Sequence, residues 1–180
     1  MAAPRRHRLG SVRQTATMTG ATASKYSAGV LLFRHAPRLQ VLLGHMGGPY
    51  WARKDAGAWS VPKGEYAPDS EDARTAAARE FTEELGLPVP DGKWIALGES
   101  QYGSGRSRKQ VTVWAVAGDL DPEQVVPGTF EMQWPPRSGR MQAFPEIDRV
   151  EWLEPELARE KIVAGQRPFL DRLTEVLADG

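Results

Sequence analysis

The chain has 180 residues, 41% hydrophobic and 26% charged, which is the size and balance of one globular domain. Its 23 basic and 23 acidic side chains cancel to a net charge of zero, which argues against a stable nucleic-acid partner because phosphate contacts need a basic surplus. The absence of cysteine excludes disulfides, thiolate catalysis and zinc–thiolate sites. We therefore expect any bound metal to have mainly oxygen ligands, as Mg²⁺ and Mn²⁺ prefer.

The beginning of the chain is rich in Arg, Ser, Thr and Ala and contains no apolar run. This composition predicts a disordered tail at residues 1–25, followed by one folded domain at 26–180. The tail lacks the apolar centre of a secretory signal, and no segment reaches the roughly 18–20 apolar residues of a membrane-spanning helix. We therefore expect a cytoplasmic protein with no membrane partner. A translation start at Met1 and one at Met18 are both compatible with such a tail.

Apolar patterns predict three strands before the first helix. They cover residues 27–34, 39–44 and 59–62. The segment 35–38 contains a proline and is expected to close the first two strands into a hairpin. Residues 47–58 contain Gly, Pro, Tyr and Trp and predict a loop. This part of the chain therefore begins a sheet.

The segment from Glu71 to Leu85 has the pattern of an amphipathic helix. Its apolar residues recur at steps of three and four and form one stripe: Ala73, Ala76, Ala77, Phe81 and Leu85. Asp69 or Ser70 is the expected N-cap, and Gly86 followed by Pro88 is expected to end the helix. We expect the apolar stripe to be buried, with polar side chains on the opposite face.

After this helix, strand patterns return and helices close the chain. The predicted strands are 94–103, 110–116, 130–134 and 146–153. A polar turn is expected at 103–108, a long loop at 135–144, and a short and a longer helix within 156–178. Strands around a central helix, followed by terminal helices, predict an α/β or α+β layered domain.

Three glutamates on the central helix are the most informative feature of the sequence. At about 100° per residue, Glu80 and Glu84 lie one turn apart on the same face, and Glu83 lies about 60° from Glu80. Like charges at this spacing destabilise a helix by a few tenths of a kcal/mol, and a divalent cation between them would remove the repulsion. Carboxylate oxygens in this arrangement suit Mg²⁺. The alternative is a solvated acidic helix face.

The segment 64–87 resembles the signature of the Nudix hydrolase family. That signature is a glycine, five residues, a glutamate, seven residues, then Arg-Glu-apolar-x-Glu-Glu-x-Gly-apolar. The matching residues here are Glu71, Arg79, Glu80, Phe81, Glu83, Glu84, Gly86 and Leu87. One departure is that six residues, not five, separate Gly64 from Glu71. The resemblance implies an α/β/α sandwich around a mixed sheet and an enzyme that cleaves a nucleoside diphosphate linkage.

The resemblance also implies roles for the residues that match the signature. Glu80, Glu83 and Glu84 would bind Mg²⁺ or Mn²⁺ together with the carbonyl of Gly64. Glu71 and Arg79 would brace the helix through an ion pair, and Gly86 would have a structural role at its end. Arg79, Glu80 and Glu83 are accordingly counted with the catalytic set.

The catalytic base of such an enzyme comes either from the signature or from a later loop. The later segment offers Glu131, next to a predicted strand, and Glu146, at the start of another. We select Glu131 as the candidate and keep Glu146 as the alternative. An exposed carboxylate with no role is the competing interpretation for each.

Cationic and aromatic side chains are the candidate substrate contacts. Cations stabilise phosphoryl groups, and the candidates are Lys63, Arg137 and Arg140. Aromatic rings stack on nucleobases, and the candidates are Tyr50, Trp51 and Trp134. Ordinary surface charge or packing is the alternative for each of these residues.

The preferred function is a Mg²⁺-dependent hydrolase of a nucleoside triphosphate or a dinucleoside polyphosphate. The alternative is a catalytically inactive Nudix-fold module that senses a nucleotide or acts as a scaffold. The expected partner is a small nucleotide, and the sequence is compatible with a monomer or a homodimer.

Overall fold

The computed structural model describes residues 25–180. The predicted tail at 1–25 lies outside the described residues except for Lys25, which begins the first strand. The strands of the described chain are β1 Lys25–His35, β2 Leu39–Met46, β3 Trp59–Ser60, β4 Lys63–Glu65, β5 Trp94–Tyr102, β6 Lys109–Ala117, β7 Thr129–Gln133, β8 Met141–Pro145 and β9 Ile147–Leu153. The helices are α1 Ala73–Leu85, α2 Pro155–Lys161 and α3 Arg167–Ala178.

The strands form one mixed sheet and a separate two-stranded ribbon. The main path of the sheet is β3-β2-β1-β6-β5, with β4 pairing β1 and β9 pairing β2. The β1–β6 pair is parallel, with Val30 opposite Trp114, whereas the other pairs are antiparallel. The hairpin β7–β8 forms the ribbon. Parallel β1 and β6 at the centre are covered on both faces, as parallel strands require.

Two apolar layers hold the helices on opposite faces of the sheet. Successive side chains of β1 alternate between these layers, so that Leu31 belongs to one and Leu32 to the other. The first layer contains Phe169 of α3, and the second contains Phe81 of α1; both are fully buried. The predicted α/β/α sandwich around a mixed sheet is confirmed. Within residues 25–180, none of the helices is long and apolar enough to cross a lipid bilayer.

The first turn of the central helix differs from the prediction. The N-cap is Asp72, whose carboxylate accepts a hydrogen bond from the Thr75 amide at 3.0 Å, and not Asp69 or Ser70. The amide of Ser70 instead donates to the Ala67 carbonyl at 3.0 Å, in a turn that precedes the helix. The three polar residues look alike in sequence, and the hydrogen bonding of the preceding turn decides which one caps.

Two strands were not predicted. The segment 63–65 forms β4 because it pairs with the start of β1, and the segment 141–145 forms β8 because it pairs with β7. The predicted loop at 135–144 is therefore wrong over its last four residues. Short strands of this kind depend on their partners, and little in their own composition indicates them.

Candidate active site

A glycine on β4 lets the central helix bring a carboxylate against the sheet. A Cβ atom built on Gly64 would lie 1.7 Å from Glu80 Oε2, so any side chain there would displace that carboxylate. Glu80 is buried, with only 9% of its surface exposed. The extra residue between Gly64 and Glu71 lies in the turn after β4, where the Glu71 amide donates to the Ala67 carbonyl at 3.0 Å. The turn therefore absorbs the insertion, and Gly64 remains next to the glutamate helix.

Arg79 connects three of the glutamates. Its Nε and Nη2 donate to the two carboxylate oxygens of Glu71 at 2.9 and 2.8 Å. Its Nη1 donates to Glu80 at 2.5 Å and to Glu83 at 3.0 Å. The hydrogen bonds from Arg79 hold the pKa of Glu71 below its usual value. The guanidinium thus fixes the segment before the helix to the helix and offsets the repulsion among its carboxylates.

Glu84, like Glu80, lies against β4. Its carboxylate accepts a hydrogen bond from the Lys63 amide at 2.8 Å. Burial raises the pKa of Glu84 to about 8, and repulsion from Glu146 and Glu80 adds to this, while Lys63 acts in the opposite direction. Carboxylates from distant parts of the chain are therefore close enough here to oppose each other's ionisation.

Glu146 joins this group from the short link between β8 and β9. Its amide donates to the Gly128 carbonyl at 2.9 Å, and its carbonyl accepts from the Gly47 amide at 2.9 Å. A Cβ built on Gly128 would lie 3.2 Å from a Glu146 carboxylate oxygen and 2.8 Å from the Glu83 carbonyl, which places Glu146 beside the end of α1. Burial, followed by repulsion from Glu80 and Glu83, raises the pKa of Glu146.

A cavity of about 270 Å³ opens next to these carboxylates. Its lining residues are Met46, Gly47, Trp51, Ser60, Lys63, Glu84, Phe130, Glu146 and Ile147. The polar side is formed by two carboxylates and Lys63, while Trp51 and Phe130 contribute aromatic surface. A largely apolar cavity with a few converging charged groups is the usual form of a small-molecule site.

The structure brings some predicted substrate contacts to the cavity and leaves others outside it. Lys63 and Trp51 line it. Tyr50 is 56% exposed and packs edge-to-face against Trp134, with ring centroids 5.4 Å apart. Neither of these two rings lines the cavity, although Tyr50 directly precedes Trp51.

The tip of the β7–β8 hairpin carries the two predicted phosphate-binding arginines. Arg137 and Arg140 are exposed, and neither lines the cavity. Arg137 has a φ of 64°, and its amide donates to the Gln133 side chain at 3.1 Å. The structure therefore does not bring this pair to the cavity.

The structure does not bring Glu131, the selected catalytic base, to the cavity. Glu131 is exposed on β7, and its neighbour Phe130 points into the cavity. Successive side chains of a strand point to opposite faces, so Glu131 points away. Glu146, the alternative candidate, lines the cavity. Sequence reasoning also missed Phe130 as a lining residue. The sequence shows that side chains of β7 alternate between two faces, but not which face of the strand packs against the cavity.

The donor set of this site fits a hard divalent cation. Within residues 25–180, no three acidic or histidine side chains are already gathered at metal-binding separations, since Arg79 and the Lys63 amide hold the carboxylates. All the candidate donors are nevertheless oxygen atoms, supplied by Glu80, Glu83 and Glu84 with the Gly64 carbonyl nearby. The excess of negative charge and the oxygen donors match what Mg²⁺ or Mn²⁺ requires.

Several solved structures share this fold. A C. elegans Ap4A hydrolase in a binary complex is 22% identical, with a TM-score of 0.61, over 87% of this chain and 99% of that chain. A MutT protein from Methanosarcina mazei Go1 is 20% identical, with a TM-score of 0.59, over 86% and 95%. The NUDIX domain of Shewanella oneidensis NrtR, complexed with ADP ribose, is 14% identical, with a TM-score of 0.57, over 86% and 89%.

The sequence comparisons identify a family and no individual relative. No curated protein matches the chain. The NUDIX domain family matches residues 24–173, which include the whole sheet, the glutamate helix and the link that carries Glu146. The resemblance predicted from the spacing of the glutamates is therefore confirmed, and this chain belongs to the Nudix hydrolase family.

Proposed function

We propose that this protein is a Mg²⁺- or Mn²⁺-dependent hydrolase that cleaves a diphosphate linkage of a nucleoside triphosphate or a dinucleoside polyphosphate. The observation that supports it is the meeting of the α1 carboxylates with Glu146 and Lys63 at a cavity of about 270 Å³. Carboxylates that repel each other suit a bound cation. Lys63 suits a phosphate chain, and the aromatic wall suits a nucleobase. A purely structural acidic helix face would not require Glu146 or the cavity.

The helix and β4 provide the metal-binding groups in this proposal. Glu80, Glu83 and Glu84 would hold the cation with the Gly64 carbonyl. When bound, a divalent cation neutralises phosphate charge and makes water more acidic. Arg79 keeps Glu80 and Glu83 oriented through its hydrogen bonds at 2.5 and 3.0 Å.

Glu146 is the proposed general base in place of Glu131. Its carboxylate lines the cavity, and its raised pKa makes it a better proton acceptor than an ordinary carboxylate. Glu146 takes a proton from the attacking water, the water oxygen bonds to phosphorus, and the phosphoanhydride P–O bond breaks. Lys63 lines the same cavity, and its ammonium would stabilise the negative charge of the departing phosphate.

The nucleoside part of the substrate is assigned to the aromatic side of the cavity. Trp51 and Phe130 offer ring surface on which a base can stack. The cavity volume of about 270 Å³ lies near the lower end of the range of small-molecule sites, and we assign one nucleoside to it. With a dinucleoside polyphosphate, the second nucleoside would therefore lie outside this cavity. The fold is shared with an Ap4A hydrolase, and Ap4A is a dinucleoside polyphosphate.

The test is phosphate-release profiling over a panel of nucleoside triphosphates and dinucleoside polyphosphates, with Mg²⁺ and with chelator. Glu146→Gln and Glu131→Gln form a matched pair, because both remove one carboxylate charge from the same region of the chain. We expect Glu146→Gln to lower kcat by about 100-fold or more, and Glu131→Gln to remain within about twofold of wild type. The opposite order would remove Glu146 from the mechanism.

The same panel decides between an enzyme and a sensing or scaffolding module. Hydrolysis that requires Mg²⁺ or Mn²⁺ supports the proposal. Nucleotide binding without product under every metal condition would contradict it and favour the sensing module.

A further inference from the structure

His45 is a buried polar residue that the proposed reaction does not use. It lies on β2 and has no exposed surface. Its Nδ1 lies 2.7 Å from Asp148 Oδ1, and its Nε2 lies 2.7 Å from the Lys54 carbonyl oxygen. A buried imidazole with both nitrogens engaged is held in one orientation.

The partners of His45 define the direction of its hydrogen bonds. A carbonyl oxygen only accepts, so the Nε2 N–H of His45 is the donor in the hydrogen bond to the Lys54 carbonyl oxygen. Asp148 contacts the other nitrogen from β9, and Trp59 packs edge-to-face on the ring with centroids 5.2 Å apart. The ring is therefore fixed from three sides and presents a single rigid donor to the loop.

The loop that receives this hydrogen bond carries an aromatic wall of the cavity. The Lys54 amide donates to the Trp51 carbonyl at 2.8 Å, and the Trp51 amide donates to the Gly48 carbonyl at 3.2 Å. These two bonds make one compact turn from Gly48 to Lys54. The Lys54 ammonium also lies 4.8 Å from the centre of the Trp51 ring. A donor fixed at the Lys54 carbonyl therefore fixes the turn that holds Trp51.

We propose that His45, oriented by Asp148, is a positioning residue for nucleoside binding. Its hydrogen bond to the Lys54 carbonyl holds the Gly48–Lys54 turn in place, and so keeps Trp51 in the cavity wall. The role of His45 in nucleoside binding rests on the proposed function, whereas its effect on the position of the turn does not. The His45 ring is hydrogen-bonded to Asp148 and to the Lys54 carbonyl, and neither is assigned to metal or catalysis, so we expect its contribution in binding and not in the chemical step.

The kinetic test compares His45→Met, which removes the donor, with His45→Gln, whose side-chain amide can still donate. We expect His45→Met to raise KM by about tenfold, as for one lost hydrogen bond, with kcat within about twofold of wild type. His45→Gln should recover most of the lost affinity. His35→Gln is the matched control, because His35 is exposed at the end of β1, and it should leave both constants unchanged.

A second measurement does not depend on activity. Amide hydrogen exchange should become faster across residues 48–55 in His45→Met and in Asp148→Ala, and should remain at the wild-type rate there in His35→Gln. Asp148 is partly exposed, with 30% of its side chain accessible, so its replacement tests the turn even if His45→Met does not fold.

Two results would overturn the inference: unchanged exchange at residues 48–55 in the folded variants, or a loss of kcat with KM unchanged. A wild-type protein that hydrolyses no nucleotide would instead contradict the proposed function, and the exchange data would still decide the role of His45.

Discussion

Replacing Gly64 with alanine tests the metal-binding geometry with a single methyl group. The new Cβ would lie 1.7 Å from Glu80 Oε2 and 2.1 Å from its carboxylate carbon, whereas an ordinary contact begins at 3.4 Å. The carboxylate would therefore have to move by about 1.7 Å, the difference between 3.4 and 1.7 Å. Gly64 does not have a left-handed backbone conformation, so alanine adds no backbone strain and its effect falls on Glu80.

A displacement of about 1 Å at a catalytic group costs on the order of 100-fold in rate, so we expect Gly64→Ala to lower kcat by at least about that factor. The assay is phosphate release at saturating Mg²⁺, with a thermal melt to show that the variant is folded. Stabilisation of the melt by Mg²⁺ should also be lost.

Glu65→Ala is the matched control for this experiment. Glu65 is the next residue of β4, and its exposed side chain pairs with Lys25 at 2.9 Å. Removing the Glu65 carboxylate should leave kcat within about twofold of wild type. An exposed ion pair contributes about 0–1 kcal/mol to stability, and the pair of Glu65 with Lys25 does not include a residue of the proposed active site. A folded Gly64→Ala variant that turns over at the wild-type rate would refute the assignment of Glu80 as a metal ligand.

Three further predictions follow from burial, stacking and charge. Phe81→Ala should lower the free energy of unfolding in urea by about 3–5 kcal/mol, because the ring is fully buried between α1 and the sheet; a loss below about 1 kcal/mol would contradict this packing. Trp51→Ala should raise KM by about tenfold or more, whereas Tyr50→Ala should not, and equal effects on KM would remove Trp51 from the substrate site. Metal-free protein should lose stability as pH rises from 4.5 towards 8, because burial raises the pKa of Glu84 to about 8 and the folded state then holds a proton that the unfolded state has released. Glu84→Gln should make this loss shallower in urea titrations at pH 5 and pH 8, and parallel losses in both proteins would show that another group is responsible.

Local patterns were sufficient for the part of the site that lies on one helix. The steps of three and four residues in α1 predicted the buried apolar stripe, and the spacing of Glu80, Glu83 and Glu84 predicted that they lie within about one turn of each other. The expectation that the polar side chains face away from the core was wrong for Glu80, which is buried beside the apolar stripe. Gly86 ended the helix as predicted, in the left-handed conformation with a φ of 70°. These features depend on helix geometry alone, so neighbouring residues in the sequence are enough to determine them.

The long strands of the sheet were also predictable, because their apolar side chains repeat over many residues. The short strands β4 and β8 were not, since each exists through the hydrogen bonds of its partner strand. The same applies to the N-cap, where Asp72 was chosen over two similar neighbours by the turn that precedes it.

The cavity itself was decided by tertiary structure. Glu131 was preferred to Glu146 on sequence, and only the docking of the β8–β9 link beside α1 brings Glu146 to the cavity. Phe130 and Glu131 are adjacent on one strand, and the side of the hairpin that faces the protein determines which of them is used. The sequence by itself determined the family and the glutamate helix, because both depend on short-range spacing. The opposite wall, the base candidate and the buried His45 contacts depend on residues many positions apart, which only packing brings together.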